Sequence, residues 1–218
     1  MRGSVRYFMF TCLLLVPPLI IDGCKPTTDV GDTIVNISDP VSESLALNTQ
    51  GWNSFEAKNY TGAISYFKQA IAKYDQDADA YNGLGWAYAR LDSLEKAIYN
   101  FDVALGLMTR IFNGDAGILD AYAGRSFVSL ALGKYNEAIT SVNAIQSYGV
   151  RFYAFRHDVS ISLDDLLLVK AQSYFLLANY WSSQQIIDYL DPENKLDPNK
   201  PGYIEDLALE IEALWARI

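Results

Sequence analysis

Gly51, Ala63, Phe67 and Ala70 recur as Gly85, Ala97, Phe101 and Ala104, each 34 residues further along the chain. A fixed period of that length constrains the fold more than any other feature. It marks a stacked array of helix pairs, in which one pair alone cannot bury its apolar face and neighbours must supply the rest of the core. The frame continues more loosely as Ser126, Ala138, Val142 and Ile145, then as Ala171, Ser183, Ile187 and Leu190. Each small residue is followed nine positions later by a bulky one (Tyr60, Leu94, Tyr135, Tyr180) and preceded by four with another (Leu47, Tyr81, Tyr122, Leu167). Gly51 and Gly85 allow the first helix of a pair to approach the second, and Ala63 and Ala97 offer the matching gap. Tyr60 and its counterparts are expected to wedge between neighbouring helices, each burial contributing about 2–3 kcal/mol.

The period breaks twice. Ser126 comes 41 residues after Gly85, with the surplus near 112–118, where Asn113-Gly114-Asp115 signals a turn. Ala171 comes 45 residues after Ser126, with the surplus between Gly149 and Leu163. Gly149 is a good helix stop. The β-branched and aromatic runs Val150–Phe155 and Val159–Leu163 predict a small hairpin over 150–163, turning at His157-Asp158. Ser162 and Asp165 have the spacing of a capping box for the next helix. Beyond Pro201-Gly202, the residues Ile204, Leu207, Ala208, Ile211, Leu214, Trp215 and Ile218 share one helical face. A terminal helix with an acidic outer face predicts a cap for the stack.

The runs Ala80-Tyr81-Asn82-Gly83-Leu84-Gly85-Trp86-Ala87-Tyr88 and Leu132-Gly133-Lys134-Tyr135-Asn136-Glu137-Ala138-Ile139 resemble the tetratricopeptide repeat. The resemblance covers about 44–197. It implies an all-α, right-handed superhelical stack of about four helix pairs with a concave groove. The expected repeats are 44–77, 78–111, 119–152 and 164–197, followed by a capping helix at 203–218, so that 44–218 forms the domain. In this family, particular positions of each first helix line the groove. Carried onto this chain, they make Asn48, Trp52, Phe55, Asn82, Trp86, Arg90, Phe127 and Gln172 the candidate partner-binding residues. Asn48 and Asn82 have the chemistry to hydrogen-bond the backbone of an extended peptide, and Trp52, Trp86 and Phe127 to anchor it. The alternative is that these aromatics pack against the tether, the inserts or the next repeat. The carboxylate clamp of some family members is disfavoured, because Trp52 and Trp86 stand where the clamp asparagine would be and Arg90 is the one basic residue there.

Upstream of the repeats, Arg2 and Arg6 precede an apolar run, Tyr7–Val16, which Pro17 and Pro18 interrupt. A run this short behind positive charge reads as a secretory signal rather than a membrane span. It ends Ile21-Asp22-Gly23-Cys24, which resembles the lipobox of bacterial lipoproteins, with Asp22 departing from the pattern. The resemblance implies a signal peptide at 1–23, lipid attachment at Cys24 and a flexible tether through 43. It implies a lipid-anchored protein of the bacterial cell envelope. Lys25 after the cysteine resembles outer-membrane sorting.

The formal charge of −9, without a basic cluster beyond the signal, argues against nucleic acid as a partner. The cysteines are Cys12 and Cys24 and the single histidine is His157, so neither a disulfide framework nor a thiolate or histidine-rich metal site is expected in the body. No cofactor is expected. His157 and Asp158 are sequence neighbours, but no nucleophile, phosphate loop or metal spacing accompanies them, and the chain is expected not to be an enzyme. Asp75, Asp77 and Asp79 read as a solvated inter-repeat surface. The leading expectation is a scaffold that holds a protein or peptide in its groove, in a role such as envelope assembly. The runner-up is a surface glycan-binding lipoprotein that uses the aromatics as a platform.

Overall fold

A computed structural model describes residues 39–111, 116–193 and 195–217. The expected signal, Cys24 and most of the expected tether lie outside the described residues, as do residues 112–115 of the first insert. The described helices pack as successive pairs: α1 (Pro40–Glu56) with α2 (Tyr60–Lys73), α3 (Ala78–Arg90) with α4 (Leu94–Ile111), α5 (Ala116–Ala131) with α6 (Tyr135–Ser147), and α7 (Leu163–Leu176) with α8 (Tyr180–Leu190). The first helices α1, α3, α5 and α7 also touch in succession. The C-terminal helix α9 (Tyr203–Arg217) continues that row by packing on α7. Among the described residues the result is an all-α tetratricopeptide-type stack with one small hairpin. Among the described residues, no helix is long and apolar enough to cross a membrane.

α1 begins earlier than the sequence reading placed it. Pro40 occupies its first turn, where a missing N–H costs nothing, and the Asp39 carboxylate accepts from the Val41 N–H at 3.2 Å. Residues 40–43 are therefore helix rather than tether.

The repeating frame is a rule about volume. Phe67 is fully buried in a notch between two glycines: a Cβ added at Gly51 would lie 2.5 Å from its ring, and one at Gly83 2.2 Å. Phe101 occupies the same notch one repeat on, with clearances of 2.8 Å at Gly85 and 2.2 Å at Gly124. In the third and fourth pairs the glycine becomes Ser126 or Ala171 and the phenylalanine shrinks to Val142 or Ile187, all four fully buried. A larger residue on one helix is matched by a smaller one on the other, as close packing requires.

The turn inside each pair repeats as closely. Lys58, Asp92, Gly133 and Ala178 each lie seven residues after the small residue of the frame, with φ of 60°, 54°, 72° and 57°. Only one of these left-handed positions carries glycine. Asn59 and Asn179 then cap α2 and α8 by accepting from the N–H of Gly62 at 3.1 Å and Ser182 at 3.2 Å. Tyr60 meets Phe55 at 5.3 Å between ring centroids, and Tyr180 meets Phe175 at the same 5.3 Å.

The two surpluses are absorbed differently. α4 is 18 residues against 14 for α2, and α5 is 16 against 13 for α3, so the first surplus of seven lengthens the helices. Buried Met108 and Ile118 lie in that extension. The second surplus leaves the helices alone and builds a hairpin, β1 (Ala154–Phe155) antiparallel to β2 (Asp158–Ser162), with an irregular register between Ala154 and Phe155. Gly149, at φ 68°, follows the end of α6. α7 starts with the expected capping box: Ser162 receives the Asp165 N–H and Asp165 receives the Ser162 N–H. At the far end Leu207, Ile211 and Leu214 of α9 bury a second core against Leu168, Ala171 and Ile187.

Candidate functional site

The candidate groove residues lie along the row of first helices, and the hairpin lies on them. Phe155, 0% exposed, stacks on Trp86 with ring centroids 4.2 Å apart and planes 17° apart. It also meets Trp52 and Phe55 edge-on, each at 6.1 Å. His157 stacks on Trp52 at 3.7 Å with planes 4° apart. These contacts leave Trp52 6% and Trp86 3% exposed. Large aromatic surfaces in T-shaped and stacked contact contribute about 0.5–1.5 kcal/mol per pair beyond their area. Trp52, Trp86 and Phe55 are therefore interior residues packed against an insert, not free anchors. This is the alternative that the sequence reading had left open.

Polar groups lock the same hairpin down. The Arg156 guanidinium reaches Asp79 at 3.2 Å from one nitrogen and Asp120 at 3.0 Å from another. The Tyr153 hydroxyl donates to Asp120 at 3.0 Å. His157 Nδ1 lies 2.8 Å from Glu56, while Asp158 pairs with Arg90. His157 and Asp158 thus face different partners and do not form an orienting dyad. Asp79 also accepts from Trp52 Nε1 at 2.8 Å and Asn48 Nδ2 at 3.0 Å, and Trp86 Nε1 donates to the Asp120 carbonyl at 3.2 Å. Asp77 caps α3 by accepting from the Ala80 N–H at 2.9 Å. Of the three carboxylates read as a solvated surface, Asp75 alone is exposed. Asp77 and Asp79 are half-buried and bonded.

Burial dominates the local titration. It pushes the Asp120 carboxyl up to about 6, against the opposing pull of Arg156 and the hydrogen bond from Tyr153. Burial, then the neighbouring Asp120, raises the Tyr153 phenol. Burial also lowers His157, with the Glu56 hydrogen bond working the other way.

Asn82 is different. It is 0% exposed, and neither its Nδ2 nor its Oδ1 has a hydrogen-bond partner; Asn48 Oδ1 is also buried without one. Leaving such an amide unsatisfied costs about 1–3 kcal/mol. Asn82 lies on the same helical stripe as Asp79 and Trp86, three residues after one and four before the other, and both of these touch the hairpin.

Phe127 and Gln172 fall outside the closed part, while Arg90 lies at its edge, paired with Asp158 of the hairpin. Phe127 is half-buried, 6.5 Å from Trp86 between centroids. Beside it opens a cavity of about 340 Å³ lined by Arg90, Phe127, Ala131, Ile161 and Asp165. Gln172 is taken by α9, where it accepts from Trp215 Nε1 at 2.7 Å. The sequence reading missed Tyr153, Phe155 and Arg156 as members of this site. Its one available signal was the match of a basic residue in the hairpin with acidic residues on the first helices. Among the described residues, no cluster of three or more His, Cys, Asp or Glu is placed to hold a metal.

Residues 48–116 match the tetratricopeptide repeat family model. The chain is 35% identical over 86 residues to the tetratricopeptide repeat domain-containing protein PYG7, chloroplastic, of Arabidopsis thaliana, covering 38% of this chain and 29% of that protein. It is 26% identical over 150 residues to serine/threonine-protein phosphatase 5 of Homo sapiens, covering 68% of this chain and 28% of that protein. The chain thus spans less than a third of the length of either curated relative. Among solved structures, a tetratricopeptide repeat protein from Parabacteroides merdae superposes with a TM-score of 0.54 at 15% identity, covering 80% of this chain and 61% of that one. Nearly identical TPR-like repeats from Podosopora anserina superpose with a TM-score of 0.55 at 12% identity, covering 83% and 98%. At such identities the likeness concerns the fold. The 34-residue frame, the glycine-notched phenylalanines, the repeated left-handed turns and these superpositions agree on the fold, an all-α stack of tetratricopeptide-type helix pairs.

Proposed function

We propose that this protein is a non-catalytic scaffold, lipid-anchored at Cys24 in a bacterial cell envelope, that holds a protein partner on the face formed by its first helices. The observation that supports this reading is the open cavity of about 340 Å³ beside the closed groove, where Arg90 and half-buried Phe127 remain on one rim. A concave, largely apolar surface with a few directed polar groups suits the anchoring of a partner side chain. Envelope assembly is the role this layout fits. With the hairpin in place, the Trp52–Trp86 platform that the glycan reading requires is covered by Phe155 and His157.

A photo-crosslinking side chain at position 127 tests the scaffold in native cells, with one at exposed Gln69 on α2 as control. A discrete partner is expected at 127 and not at 69, and Phe127→Asp is expected to abolish its capture. Equal capture at both positions would refute the surface. Fatty-acid labelling of wild type against Cys24→Ala tests the anchor, and retention on polysaccharide without a protein partner would favour the glycan reading.

A further inference from the structure

We propose that the hairpin is a built-in ligand and that the groove beneath it accepts an extended protein segment carrying an aromatic residue followed directly by arginine. This rests on the scaffold reading and deepens it by naming what the partner presents.

The hairpin contacts the groove as a docked peptide would. Two consecutive residues stand at the centre of its contacts, between Tyr153 and His157: Phe155 enters the aromatic pocket of Trp52, Phe55 and Trp86, and Arg156 bridges Asp79 and Asp120. The pocket selects a flat apolar ring, and the two carboxylates beside it select a planar cation with several donors, which is arginine rather than lysine. The chemistry of an outside occupant follows from the same residues.

The internal occupant is also an imperfect fit. With the hairpin in place Asn82 is fully buried with neither amide atom partnered, and Asn48 Oδ1 is in the same condition. Both asparagines occupy equivalent positions in successive repeats, three residues before Gly51 and Gly85. A strand laid along the first helices carries main-chain N–H and C=O groups that could complete these amides. A segment with the same aromatic–arginine pair keeps the existing contacts and adds those the hairpin lacks.

Displacement of the hairpin would leave the ends of α6 and α7 in place. α6 ends at Ser147, before Gly149, and α7 is closed by its own Ser162–Asp165 box. The Arg156–Asp79 and Arg90–Asp158 pairs are partly solvent-exposed, with side chains 34% to 46% exposed, and pairs of that kind hold weakly, whereas the Asp120 carboxylate under Arg156 is 4% exposed.

The test uses a fluorescent peptide with the sequence of residues 151–159 and two versions carrying alanine at the position of Phe155 or of Arg156. The receptors are the full chain and its Phe155→Ala/Arg156→Ala variant, whose hairpin no longer competes. The peptide is expected to bind the variant at least tenfold more tightly than wild type, and either alanine peptide to bind it at least tenfold more weakly. Adding Asn82→Ala to the variant is expected to weaken the peptide at least threefold. A cooperatively melting variant that ignores the peptide, or binds all three versions alike, overturns the proposal. If the variant does not fold, hydrogen exchange of the wild type decides: amides of 154–161 must exchange at least a hundredfold faster than those in the middle of α3 and α5. Exchange as slow as those helices means the groove does not open, and the proposal falls. Capture through position 127 in cells with no peptide response would keep the scaffold and discard the internal ligand.

Discussion

The chain departs from its 34-residue period at two junctions, and the departures resolve in opposite ways. Between α4 and α5 the added residues extend both helices, so the core gains a layer containing Met108 and Ile118. Between α6 and α7 they form a hairpin that crosses to α1 and α3 and closes the groove. Composition explains the divergence. Leu105, Leu107 and Met108 continue a helical apolar pattern, whereas Gly149 stops α6 and Val150–Phe155 favours an extended chain. An insertion in a stacked repeat thus either thickens the wall or fills the hollow, according to whether its residues propagate a helix.

The largest expected effect breaks the thickened wall. Ile118→Ala empties a fully buried site in the α5 extension, and urea unfolding should show a loss of about 4 kcal/mol. Phe155→Ala removes an equally buried ring from the hairpin. Its expected cost is smaller, about 3 kcal/mol, because the loss cannot exceed the free energy of docking the hairpin. Its helical circular dichroism should stay at the wild-type value, while Trp52 and Trp86 become accessible to a fluorescence quencher. Unchanged quenching would show that the hairpin does not depend on Phe155.

The closed groove should also carry a pH signature. Folding raises Asp120 from 3.8 to about 6, so the folded state holds this proton more tightly. Its contribution therefore grows as pH falls through 6 towards 4, amounting to about 1 kcal/mol between pH 7 and 5. His157 has the opposite sign. Its pKa is lowered from 6.5, so the unfolded chain takes the proton first and stability is lost as pH falls through that value. Asp120→Asn should leave the destabilising trend below pH 6.5, and His157→Gln the stabilising one, in denaturant titrations across that range. Parallel curves for the two variants would contradict the assignment.

The smallest effects concern the turns, where the four pairs agree despite their different junctions. Ala178→Gly relieves a left-handed alanine and should stabilise by about 0.5 kcal/mol, while Gly133→Ala should cost about 1 kcal/mol. Opposite shifts in thermal midpoint would show that one backbone turn serves all four repeats, and shifts of the same sign would break that equivalence.

Much of the fold was legible before coordinates. The frame from Gly51 to Leu190 placed the four pairs, the pattern from Ile204 to Trp215 placed α9, and Ser162 with Asp165 placed the start of α7, because each signal is carried by residues close in sequence. Gly83 and Gly124 were not recognised as the far walls of the phenylalanine notches, since that role appears only when adjacent repeats are stacked. The site was less legible. Helical spacing groups Trp52, Trp86 and the asparagines on one face, yet nothing local shows that Phe155, more than a hundred residues after Trp52, lies against it.

By itself the sequence determined the helix pairs, their turns and the exchange of volume between Gly51–Phe67 and Ala171–Ile187, because helical periodicity and side-chain size act over a few turns. Only the tertiary structure decided that the groove is occupied, that Asp120 is buried beneath Arg156 and that Asn82 is left without a partner. Those outcomes depend on where a fifteen-residue connection between α6 and α7 comes to rest. That placement is a long-range choice made by ring stacking and charge pairing between segments far apart in the chain.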